Sequence, residues 1–243
     1  SYGAGIRFES AVSARNTDDG FEVDLDETGT VRARRLILAT GLVDELPDIP
    51  GVRELWGKSV LHCPYCHGWE VRDRRIGVVG SSPMSVHQAL LFRQLSDDVT
   101  LFTHTMPDLD GESLEQLAAR DIRLVEGTVA ELRAEGENVH TVVLEDGREC
   151  GVDAVVVGPR FHARTDLYVQ LGGTVADHPL GSFIETGPMG QTELPGVWAA
   201  GNSSDLSAMV VVAAGAGVVA GAAVNADLVA EDVAAAVTAR TKR

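Results

Sequence analysis

Two rhythms of apolar residues run along this chain. Near the start, IRFESAVSA, FEVDLD and VRARRLILATG are β-rich runs separated by the turn signals NTDDG and ETG. They predict an antiparallel set that ends in a buried strand. LVDELPDIPG, residues 42–51, breaks the pattern with two prolines and flanking acids, and predicts a linker between domains. From RRIGVVG onward the rhythm alternates: a strand, then MSVHQALLFRQLS at helical spacing, the strand VTLFTH, the helix SLEQLAARD and the strand IRLVEG. This β-α-β-α-β order predicts a parallel sheet with right-handed crossovers, the architecture of a dinucleotide-binding domain. VAELRAEG, HTVVLEDG and VDAVVVGPR predict further strands, two of them joined at Asp146-Gly147.

The stretch between Asp205 and Asp227, LSAMVVVAAGAGVVAGAAVNA, is uncharged and long enough to cross a membrane. Alanine and glycine dominate it, and they supply little transfer free energy. The expectation is therefore a buried helix packed closely on a sheet, with no membrane partner.

Composition narrows the function. With 44% hydrophobic residues over 243 positions the chain can bury a real core, and a net charge of −16 argues against nucleic acid and anionic membranes. RARR at 32–35 and RDRR at 72–75 sit beside apolar runs and read as solvated strand ends. Three cysteines, Cys63, Cys66 and Cys150, are too few for a disulfide-stapled scaffold, and SYGAGIRFES lacks a signal-peptide pattern, so a cytoplasmic location is expected.

The densest chemistry is LHCPYCHGWEVRD, residues 61–73. C-x-x-C-H can attach haem, C-x-x-C can be half a zinc site, and C-x-x-C near a nucleotide-binding pattern can be a redox dithiol. Haem requires a second axial ligand and an export route, and neither is signalled. Zinc requires a second ligand pair, whereas Cys150 stands alone, so no metal is expected. A purely structural cysteine pair is a further alternative. His67, next to Cys66, could take a thiol proton near neutral pH or simply cap a helix; His62 and Glu70 read more readily as structural.

The turn VVGSSPMSVHQA places Gly80, Ser82 and Ser85 at the three positions of G-x-G-x-x-G/A. Only the first is glycine. Ser82 adds a side chain where a pyrophosphate would approach, and THTMPDLD offers neither an arginine nor a terminal acid for the ribose. Weak NADP(H) binding is expected.

The order LILATG, linker, HCPYCHGWE, eroded fingerprint, β-α-β, and then GVWAAGN followed by an Ala/Gly helix resembles the low-molecular-weight thioredoxin reductases over nearly the whole chain. CHG in place of C-D-G resembles the FAD-dependent dithiol oxidases that close disulfides in small natural products. The resemblance implies an α/β fold in which a Rossmann-like nicotinamide domain, 48–165, interrupts an N-terminally incomplete FAD-binding domain, 1–47 and 166–243. It implies a flavin-dependent thiol–disulfide oxidoreductase with Cys66 facing the flavin, Cys63 exchanging with a thiol or disulfide substrate, and His67 where the reductases carry aspartate. It also implies a homodimer. Gly41, Gly201, Asn202, Ala208 and Met209 would contact FAD, with Asn202 in the place of the family's aspartate and the helix beginning near Ser207 turning its amides to the flavin pyrimidine. Cys63 and Cys66 would form the reversible disulfide while Cys150 stays a free thiol.

By the same resemblance, a β-α-β unit of roughly 70 to 90 residues that holds the adenosine half of FAD would precede this sequence. The chain alone is then expected to hold FAD weakly or not at all, with LILATG and GVWAAG poorly covered. A non-catalytic remnant that serves as a binding module is the alternative from another functional class.

Overall fold

A computed structural model describes residues 3–241. The chain forms two compact units: Glu45–Arg160, and a second made of the described residues up to Asp44 together with those from Phe161 on. These divisions fall a few residues before the expected 47/48 and 165/166.

The unit Glu45–Arg160 is built on a five-stranded parallel sheet in the order Val60–Leu61, Ala154–Val156, Ile76–Val79, Val99–Phe102, Arg123–Val125. IGVV, VTLF and AVV are buried at every position, as central parallel strands covered on both faces must be. Helices Met84–Phe92 and Gly111–Ala119 carry the crossovers and press Val86, Ala89, Phe92 and Leu117 onto one face against Val78, Leu101 and Val156. The other face is closed by an antiparallel sheet, Val129–Glu135, Asn138–Leu144 and Glu149–Gly151, through Leu132, Val142 and Leu144. Its second hairpin turns at Asp146-Gly147, where Gly147 takes a φ of +87° that a side chain would resist.

The division at Asp44/Glu45 falls inside the expected linker, 42–51, which carries structure of its own. Leu42–Glu45 is a strand, and Ile49 enters the core, with the Pro50 carbonyl accepting from the Leu132 amide at 2.8 Å. Its prolines supply a bent, extended path; they do not prevent it from packing.

In the second unit, Ala11–Thr17, Gly20–Leu25 and Gly29–Ala33 form the expected antiparallel sheet. VRARRLILATG is not one strand, however. It breaks at Arg34-Arg35, and Leu36–Leu38 leaves to pair in parallel with Val197–Ala199. At the break, Arg34 ion-pairs with Glu231 and Asp232, and Arg35 with Asp227 and Glu231, on the final helix.

That helix, Val210–Thr241, corrects a second expectation. It is long and apolar enough to cross a membrane by length and composition, yet only Ala220 is buried, while Val210 and Val211 are more than 80% exposed. Ala216, Ala220, Ala223 and Val224 recur at helical spacing and touch Trp198 and Ala200. Small side chains permit this close approach, but only along one narrow stripe; the remaining valines have no core to enter among the described residues.

Candidate active site

Strand Val60–Leu61 delivers the chain to Cys63, which sits at the N-cap of the short helix Pro64–His67. Pro64 at the first helical position pre-sets φ and donates no hydrogen bond, so the turn starts where no amide partner is needed. One helical turn separates Cys63 from Cys66, and their sulfurs lie 2.7 Å apart as free thiols. Cys66 is exposed and donates its S–H to Cys63 Sγ. That bond, with some burial and the neighbouring sulfur's charge, pushes the Cys66 thiol up to about 11. Cys150 lies apart, half-buried against the core of the antiparallel face.

His67 closes the dithiol helix through its backbone amide, which donates to the Cys63 carbonyl at 3.3 Å. Its ring is solvent-exposed, and no hydrogen bond joins it to either sulfur among the described residues. His62 is instead held, with Nδ1 3.0 Å from the Val157 carbonyl and close to the Gln88 amide. Gly68 follows directly; a Cβ there would come within 2.4 Å of Leu95 Cδ1, so glycine lets the dithiol turn seat against the end of helix Met84–Phe92.

Around the sulfurs lies an exposed aromatic surface that pattern reading missed. Tyr65, between the two cysteines, is 76% exposed and Trp69 is 67% exposed, with the Arg72 guanidinium 4.3 Å over the indole ring. Apolar rings left in water beside a reactive pair are suited to contact a partner. The spelling C-x-Y-C-x-x-W carried that signal, since neither ring falls on an apolar period.

The Gly80 turn, in the same unit, is closed on itself. Gly80 leaves no room for a side chain, since a Cβ would meet Met106 Sδ at 2.5 Å and the Phe102 and Thr103 carbonyls at 2.8 Å. The buried Ser85 hydroxyl accepts from the amides of Ser81 and Ser82, at 3.1 and 3.4 Å. These are the donors that a pyrophosphate would need. At the end of the next strand His104 adopts φ +44°, and its Nδ1 accepts from the Val129 amide at 3.0 Å. Burial lowers its pKa. With both amides taken, the turn offers a pyrophosphate few free donors.

The other unit holds the remaining candidates. Gly41 and Gly201 take φ of +70° and +72°; nothing lies within 4 Å of a Cβ at Gly41, and only Ala213 does at Gly201. Asn202 turns its amide nitrogen inward to the Asp205 and Ala208 carbonyls, at 3.2 and 3.0 Å. The helix begins at Val210, so Ala208 and Met209 lie in the preceding turn, not in the helix; Asn202 and Asp205 bonds shape that turn first. Its leading amides are bordered by the exposed Met209, Val210 and Val211. Two open glycine turns and an exposed helix N-terminus fit the flat, electron-accepting end of a flavin.

The chain is similar to several known proteins. The family of pyridine nucleotide-disulphide oxidoreductases matches residues 1–217. The chain is 36% identical over 232 residues to thioredoxin reductase tcpT of Claviceps purpurea, covering 90% of this chain and 70% of that protein. The crystal structure of HlmI superposes with a TM-score of 0.86 at 44% identity, covering 99% of this chain and 76% of that one. An oxidoreductase from Agrobacterium tumefaciens superposes with a TM-score of 0.82 at 36% identity, covering 91% and 73%.

Proposed function

Because the chain belongs to the pyridine nucleotide-disulphide oxidoreductases, in the low-molecular-weight thioredoxin reductase family, we propose that it is a flavin-dependent thiol–disulfide oxidoreductase whose working couple is Cys63–Cys66. The observation that carries this reading is the paired thiols 2.7 Å apart on an exposed helical turn. The self-closed Gly80 turn favours one direction, oxidation of a small dithiol with oxygen as the final acceptor, over reduction driven by a nicotinamide.

In that direction the oxidised chain carries a Cys63–Cys66 disulfide. A substrate thiolate attacks Cys63 Sγ, the S–S bond breaks, and Cys66 leaves as a thiolate that takes up a proton. The second substrate thiol loses its proton and attacks the substrate sulfur of the mixed disulfide, releasing Cys63. The substrate gains one disulfide and the chain ends as the dithiol described above. His67, exposed beside Cys66, is the proton carrier in this account, and Tyr65 and Trp69 support the substrate. Flavin, when bound, supplies the two-electron acceptor that restores the disulfide. Gly41, Gly201, Asn202, Ala208 and Met209 would hold its ring system.

Oxygen consumption by the full chain, supplied with FAD and a small aliphatic dithiol, tests the proposal. Consumption that is lost in both Cys63→Ser and Cys66→Ser supports it. Disulfide reduction driven by NADPH at a faster rate would reverse the assigned direction.

A further inference from the structure

Gln88 is nearly buried on helix Met84–Phe92, and its side-chain amide points at the residue preceding the dithiol. Its Nε2 lies 2.9 Å from the His62 carbonyl, 3.3 Å from the Val157 carbonyl and 3.2 Å from His62 Nδ1. An amide nitrogen has two hydrogens. His62 Nδ1 is also 3.0 Å from the Val157 carbonyl, which can only accept. Nδ1 must therefore carry a proton, and both Gln88 hydrogens go to the two carbonyls. One side chain thus fixes the His62 peptide, the His62 tautomer and the end of strand Ala154–Val156 together.

The far end of the dithiol turn rests on the same helix end, where Gly68 lies against Leu95 and Phe92. Cys63 is thus held between a Gln88-bonded peptide on one side and a one-turn helix seated by Gly68 on the other.

We infer that Gln88 is a positioning residue for the Cys63–Cys66 couple: by bonding the His62 carbonyl and fixing the His62 ring, it holds Cys63 Sγ where it accepts the Cys66 S–H. This rests on the reading of Cys63–Cys66 as the working pair. A disulfide needs the two sulfurs at bonding geometry, so loosening Cys63 lowers their effective concentration and penalises the oxidised state more than the reduced one. Reduction adds two electrons and two protons to the disulfide; without Gln88 the balance moves toward the dithiol.

The test is the midpoint potential of the couple in the full chain, equilibrated in glutathione buffers, trapped by alkylation and read by peptide mass spectrometry. Gln88→Met removes the donors at similar volume. We expect the equilibrium to move about tenfold toward the dithiol, close to 30 mV for a two-electron couple. Should Gln88→Met fail to fold, Gln88→Leu carries the test, because an apolar side chain cannot donate; the same shift is expected. A folded variant with the wild-type potential overturns the inference, and so does failure of both variants to fold, which would make Gln88 purely structural. A wild-type chain with no reversible couple refutes the functional reading itself, and is distinguished by needing no variant.

Discussion

Removing Cys63 should make Cys66 more reactive, which is the reverse of what losing a partner in a reactive pair usually suggests. In the dithiol, Cys66 donates to Cys63 Sγ, and its pKa is pushed up to about 11 from an ordinary value of 9.0. At pH 8 that leaves a thiolate fraction of about one in a thousand, against about one in ten once the acceptor is gone, a gain of roughly a hundredfold. A less basic thiolate is also a weaker nucleophile; with a Brønsted slope of about 0.4–0.5, two units return a factor of roughly six to ten. The net expectation for Cys63→Ala is a rise of about tenfold in the rate at which iodoacetamide labels Cys66 at pH 8. The assay is stopped-time alkylation of the reduced chain, with Cys150→Ser as background, read by peptide mapping. An unchanged or slower Cys66 rate would show that the bond between the sulfurs does not hold the Cys66 proton.

Three further outcomes follow from the packing and charge described above. Gly80→Ala drives a Cβ into two backbone carbonyls and Met106, and should lower stability in urea by about 1–3 kcal/mol; an unchanged midpoint would mean the turn is open. For His104, burial lowers the folded pKa below the unfolded 6.5, so its contribution is complete above that pH and declines as pH falls below it toward the folded value. His104→Asn, which tolerates positive φ, should therefore flatten the stability profile between about pH 7 and 5, and parallel profiles would refute the assignment. Arg35→Ala breaks the pairs with Asp227 and Glu231 and should cost about 1 kcal/mol at low salt, fading at about 1 M NaCl; a salt-independent loss would point to packing instead.

Much of this organisation is legible in the residues. Fully apolar runs separated by helical periodicity mark the parallel sheet, and C-x-x-C marks the pair that one helical turn brings together. The errors have physical sources. VRARRLILATG reads as one strand because its β-propensity is continuous, and only the distant acids Asp227, Glu231 and Asp232 reveal that Arg34-Arg35 is a corner. The last helix reads as buried because alanine and valine usually are, but burial depends on what lies opposite, which a single sequence does not state. Gln88 looks like an ordinary polar position on an amphipathic helix. Its role depends on the His62 and Val157 carbonyls, backbone groups that no side-chain pattern records. Ser85 is half legible: the eroded fingerprint is visible, while the hydroxyl that takes the Ser81 and Ser82 amides is not.

The most direct test of the central claim is a single turnover without oxygen. The air-oxidised chain is mixed with one equivalent of a small aliphatic dithiol, quenched with N-ethylmaleimide and mapped. The account predicts one substrate disulfide formed per chain and new label on Cys63 and Cys66, with Cys150 labelled equally before and after. A change in Cys150 labelling on turnover, or an air-oxidised chain in which Cys63 and Cys66 are already free thiols, would contradict it.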